Sequence, residues 1–128
     1  MVEVKYQFPV IFRLNTNDEE EVLFAIVEEK PLFNGKEAEV GFREWVGENT
    51  VYPAEAKEKG ISGRVYVEFS IDTDGSVTDA MILRGVDPLL NVEALRVIKA
   101  SPKWTPGKHK GNLVKVKYQF PVNFKLDN

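Results

Sequence analysis

Apolar and polar residues alternate with a period of two at both ends of the chain. Val114, Val116, Tyr118, Phe120, Val122, Phe124 and Leu126 are separated by Lys115, Lys117, Gln119, Pro121, Asn123 and Lys125. Successive side chains of a β-strand point to opposite faces, so this pattern predicts a strand with one buried and one wet face. Val2 to Leu14 alternates likewise, with Ile11 breaking its polar side. Further in, the apolar run Val22-Leu23-Phe24-Ala25-Ile26-Val27 predicts another strand, and Pro31 to Gly35 a turn. Ala38, Phe42, Trp45 and Val46 recur at helical spacing, and Gly47 is expected to end that helix. Pro53 is expected to start a short helix running through Lys59, with Gly60 as its stop.

The second half predicts a hairpin followed by a helix. Val65, Val67, Phe69 and Ile71 alternate with polar positions and lead into Asp72-Thr73-Asp74-Gly75, a hairpin-turn signal. Val77 to Leu83 is the returning strand. Asp87 precedes Pro88 as an N-cap before a first-turn proline, and Leu90, Ala94, Val97 and Ile98 line the inward face of the helix that follows. Ser101-Pro102 ends it, Pro106-Gly107 and Gly111 break the next loop, and the alternating strand closes the chain. The expected fold class is α+β: an antiparallel sheet of about three to five strands with helices packed on one face.

Comparison of the chain with itself reveals a repeat. Residues 4–14 read VKYQFPVIFRL and residues 116–126 read VKYQFPVNFKL, nine of eleven positions identical at an offset of 112. That offset is one domain length, which points to a parent with tandem domains, residues 1–15 being the last strand of a preceding copy; a designed duplication is the alternative. Residues 16–49 form a lead-in strand and helix, and 16–128 are expected to fold as one unit. Apolar positions along 2–14 favour pairing with a sheet edge, in the same molecule or swapped into a second copy.

Pro121 sharpens the reading of the last strand. It has no N–H, so a strand bonded on both sides would carry a defect there. Backbone groups alternate between the two edges of a strand as side chains alternate between its faces. The odd residues are therefore expected to face an open edge, with Lys115, Lys117 and Lys125 discouraging indiscriminate pairing. Such an edge can accept an extended peptide.

Composition removes several classes of function. The 128 residues are 43% apolar and 29% charged, which fits one domain with its own core. No apolar window approaches the ~20 residues of a membrane span, so no membrane insertion by this chain is expected. No signal-peptide pattern opens it, so any targeting or anchoring segment is expected outside it. Cysteine is absent and His109 is the single histidine, which leaves no thiol chemistry and no histidine-rich metal site; no cofactor is implied. Lys103 to Lys125 is a basic stretch near Trp104, Tyr118 and Phe120, read as a solvated strand face rather than a nucleic-acid surface. Asp72, Asp74 and Asp79 form only a faint calcium-loop pattern that the hairpin turn explains better. His109, between two lysines in a loop, is poorly placed to orient as a general base. The chain is not read as an enzyme.

Three landmarks in order carry a family resemblance: Tyr52-Pro53 opening a short helix; Gly63-x-Val65-x-Val67-x-Phe69-x-Ile71 running into Asp74-Gly75-x-Val77; and Trp104-x-Pro106-Gly107-Lys108 before a last amphipathic strand. Over about residues 50–126 the chain resembles the C-terminal domain of TonB, most closely the Bacteroidetes-type versions. Where that family often has Gln-Pro-Gln before Tyr-Pro, this chain has Asn49-Thr50-Val51. The resemblance implies a periplasmic module of an inner-membrane-anchored parent that binds the TonB box of outer-membrane receptors by strand addition during nutrient import. It also implies inner-membrane motor proteins as partners through an N-terminal anchor. The partner-binding residues expected are Lys115, Lys117, Tyr118, Gln119, Phe120, Pro121 and Asn123, bordered by Tyr52 and Pro53. The even-numbered aromatics read mainly as core, and Tyr52 equally as packing for its helix. The alternative is an assembly module that binds peptidoglycan or self-associates through the duplicated strand.

Overall fold

The computed structural model describes residues 21–126; the duplicated segment 4–14 and the pairing expected of it lie outside them. In chain order the elements are β1 (Glu21–Leu23), α1 (Gly41–Asn49), α2 (Ala54–Glu58), β2 (Gly63–Ile71), β3 (Val77–Arg84), α3 (Pro88–Lys99), β4 (Gly107–His109) and β5 (Asn112–Phe124). They build one five-stranded sheet in the order β1-β5-β2-β3, with β4 paired to the start of β5. The α+β class and the helices packed on the sheet are as the pattern predicts. The sheet is mixed rather than wholly antiparallel, because β1 runs parallel to β5.

The hairpin forms where the Asp-Gly signal places it. The Gly75 amide donates to the Asp72 carbonyl at 2.9 Å, and Gly75 adopts φ +89. Glycine is required there twice over, since a Cβ would stand 2.0 Å from the Trp104 carbonyl oxygen. The Gly75 carbonyl in turn accepts from the Trp104 amide, tying the loop before β4 to the hairpin tip. Asp72 and Asp74 accept from the amides of Thr73 and Ser76, so both carboxylates cap the turn itself.

One core lies between the sheet and the helices. Val65, Val67, Phe69 and Ile71 of β2 are fully buried and share it with Phe120, Val122 and Phe124 of β5. Phe42 of α1 sits at its centre, with ring centroids of Phe33, Phe69, Trp104 and Phe120 within 4.8–5.7 Å. Leu90, Ala94, Val97 and Ile98 of α3 are buried as their spacing predicts, and the Asp87 carboxylate caps α3 by accepting from the Leu89 amide at 2.9 Å.

Three local expectations are corrected. The run Val22–Val27 supplies only Val22 and Leu23 to the three-residue β1, because the amides of Ile26 and Val27 turn back to the Leu23 carbonyl. Val22 and Val27 are buried and Ile26 is left exposed, a turn pattern rather than an alternating one. Gly47 does not end α1, which continues to Asn49 and closes where the Thr50 hydroxyl and amide both donate to the Val46 carbonyl. Mid-helix, Gly47 costs about 0.5–1 kcal/mol relative to alanine. Finally, the loop after Pro106 contains β4, folded onto β5 through Lys110 and Gly111, both at positive φ (55 and 81). That is the geometry of a two-residue hairpin turn, built here on a Lys-Gly pair.

Candidate functional site

β5 is the strand on which the site is built. On one side it pairs with β2 without a shift from Val116 opposite Ile71 to Phe124 opposite Gly63. On the other side β1 covers only Lys115–Lys117. The Phe24 amide donates to the Lys117 carbonyl at 2.9 Å on that second side. Because β5 is unbroken, the backbone groups of Gln119, Pro121 and Asn123 point the same way as those of Lys117. Among the described residues no strand lies beside them. Pro121 thus stands on this edge, where its missing N–H interrupts no ladder bond to β2. The edge offers carbonyls at Gln119, Pro121 and Asn123, and amides at Gln119 and Asn123.

The residues singled out in the sequence fall into three groups. Gln119, Pro121 and Asn123 are exposed on the edge. Lys115 and Lys117 lie where β1 already occupies it, which corrects the expectation of an opening along the whole strand. Lys115 is held to Asp79 at 2.8 Å, and that hydrogen bond keeps its ammonium charged to higher pH than an ordinary lysine. Lys117 lies 3.9 Å from Glu21, whose carboxylate also accepts from the Ser70 hydroxyl. Phe120 is core, as its even position predicts. Tyr118 is half-buried and stacks on Phe24 at 4.1 Å between centroids; burial raises its phenol pKa, and Glu39 adds to the shift.

Tyr52 and Pro53 border the same region. The Tyr52 hydroxyl donates to the Ile61 carbonyl, and its ring meets Phe124 edge-on at 5.5 Å. Pro53 is the N-cap of α2. A groove of about 880 Å3 runs along residues 118–124 of β5 and Lys125 just after it, with Tyr52 at one end and α1 as its far wall. Glu39, Arg43, Val46, Gly47 and Thr50 face it from the α1 side, and Arg64 from β2.

Sequence reasoning missed this wall. Phe42 and Val46 marked the inward face of α1, while Glu39, Arg43, Gly47 and Thr50 are the adjoining stripe, legible at i, i+4, i+8 and i+11. It also missed the clamp that holds the approach to Tyr52. Glu93, nearly buried on α3, accepts from the Val51 amide at 2.7 Å and from Arg96, which also donates to the Asn49 carbonyl at 3.0 Å. Burial alone would raise the Glu93 carboxyl; the Arg96 and Val51 hydrogen bonds outweigh it and hold the pKa below the ordinary value.

The other polar candidates are engaged elsewhere. His109 Nδ1 accepts from the Glu28 amide at 3.2 Å. Among the described residues no cluster of three His, Asp or Glu is placed to hold a metal ion, and no helix is long and apolar enough to cross a membrane.

The fold and the edge define a class: a small α+β domain that presents the backbone of its terminal strand at a sheet edge. Residues 48–126 match the family described as Gram-negative bacterial TonB protein C-terminal, and the chain belongs to that family. Two curated relatives, Protein TonB from two strains of Helicobacter pylori, are 41% identical over 56 residues, 43% of this chain. The match takes in only 20% of those relatives' length. The solution structure of Helicobacter pylori TonB-CTD superposes with a TM-score of 0.53 at 29% identity, covering 68% of this chain and 91% of that one. That of Pseudomonas aeruginosa TonB CTD gives 0.52 at 29% identity, covering 62% and 80%.

Proposed function

We propose that this chain is a periplasmic module that binds the TonB box of an outer-membrane receptor by strand addition, as part of energy transduction for nutrient import. The observation that carries this reading is the direction of the Lys117 carbonyl. It accepts from Phe24 on the side away from β2, so the edge at Gln119, Pro121 and Asn123 continues past the end of β1. A peptide laid there would gain main-chain hydrogen bonds from that edge and side-chain contacts from the groove beside it. Family membership supports the receptor as the source of the peptide.

The test is a titration of the isotope-labelled chain with a TonB-box peptide, followed by NMR. The largest amide shifts are expected at Gln119 and Asn123, with smaller ones at Tyr52. Shifts confined to β3 or α3 would overturn strand addition at β5.

A second reading rests on the near-identity of residues 4–14 and 116–126. A segment so like β5 is suited to pair wherever β5 pairs, which makes self-association by strand exchange an alternative use of the same sheet. A mass that doubles with concentration for the full chain, and not for residues 16–128, is the signature of that reading.

A further inference from the structure

We infer that α1 is part of the peptide site: Gly47 leaves room for the incoming strand, and Arg43 receives an acidic side chain carried by it. The inference rests on the strand-addition reading above and specifies its ligand.

Gly47 is the starting point. It sits inside α1, and its backbone does not require positive φ; Gly41, the other glycine of that helix, is by contrast fixed by the Phe33 carbonyl oxygen, which a Cβ would meet at 2.6 Å. A Cβ built on it meets nothing within 4 Å. The fold therefore gives no reason for glycine here, although glycine weakens a helix. The residue lines the groove beside the open edge of β5. Glycine at such a place is what close approach by a second backbone requires.

The charges around the groove say what that second chain carries. Arg43 lies one turn before Gly47 on the same helical stripe, and Arg64 and Lys125 stand near the far end of β5. Among the described residues none of the three has a carboxylate within ion-pair reach, whereas six other cations do. Among the described residues Glu39 is the single acid lining the groove. An extended peptide bearing an aspartate or glutamate complements this balance, and a basic peptide opposes it. Arg43 and Gly47 both lie outside the stretch matched by the family.

The experiment uses the full chain and two synthetic heptapeptides of alternating valine and threonine, one with a single aspartate and one with lysine in its place. Affinity is read by NMR shifts at Gln119 and Asn123. The aspartate peptide is expected to bind roughly tenfold more tightly than the lysine peptide, and Arg43→Glu to abolish or invert that preference. Gly47→Leu, a good helix former, is expected to weaken both peptides by about tenfold or more while thermal unfolding is unchanged or raised. Gly47→Ala guards against misfolding as the cause, since it keeps the helix and adds only a methyl group.

If both peptides shift Gln119 and Asn123 equally in all variants, strand addition stands and the role of α1 is overturned. If neither shifts those amides in the unaltered chain or in residues 16–128, the strand-addition reading itself fails. Peptide-induced shifts at the edge of β5 that appear only after removal of residues 1–15 would show the chain's own repeat as the occupant and overturn the role given to an external acidic peptide.

Discussion

Two residues carry testable energetics of their own. Gly47→Ala restores helix propensity without steric conflict, and chemical denaturation should show a gain of about 0.5–1 kcal/mol. Glu93 makes the opposite case. Its removal leaves the Val51 amide without its acceptor, so Glu93→Ala should cost about 1–3 kcal/mol. Its native pKa lies below the ordinary 4.5. The stabilisation is therefore fully present above about pH 4.5 and is lost as pH falls through the lower native value. Thermal midpoints measured from pH 6 down to pH 2 should fall, and fall less steeply in Glu93→Gln. Equal slopes would show that the Glu93 carboxylate does not hold Val51 in this way.

At the scale of elements, β2, β5 and α3 were legible because each carries one clean period. Val65 to Ile71 alternates without exception, and Asp87-Pro88 marks its helix start with two independent signals. The elements that were misread depend on information a period does not hold. The run Val22–Val27 could be a strand or a turn with two buried ends, and the turn back to the Leu23 carbonyl decided it. β4 is three residues long and its turn uses Lys110 at positive φ, which no common turn dipeptide announces. The open edge was legible from Pro121 alone, but where that edge begins was not, because β1 covers Lys115–Lys117 through tertiary packing. The α1 wall was hidden because only the inward stripe of a helix is marked by apolar residues. Pro121 also supports a prediction of its own. Pro121→Thr adds an N–H to the exposed edge and removes a guard against edge-to-edge pairing. Light scattering should show a higher mass than the unaltered chain at the same concentration; an unchanged mass would mean Pro121 is not a guard.

For the whole molecule, one hydrophobic core fixes both sides of the candidate site. Phe42 brings α1 against Phe120 of β5, so the wall and the edge of the groove are set by the same contact. Replacing so central a ring with alanine would cost about 3–5 kcal/mol and would disturb both sides together. The candidate site is thus a product of the fold as a unit, with β2 holding one side of β5 and, among the described residues, no strand beside Gln119, Pro121 and Asn123 on the other. Amide hydrogen exchange at Gln119 and Asn123, with and without a saturating TonB-box peptide, tests that claim most directly. Strand addition predicts that both amides slow markedly on binding while those of Val67 and Phe69 do not change. Unaltered exchange at Gln119 and Asn123 in the presence of bound peptide would contradict it.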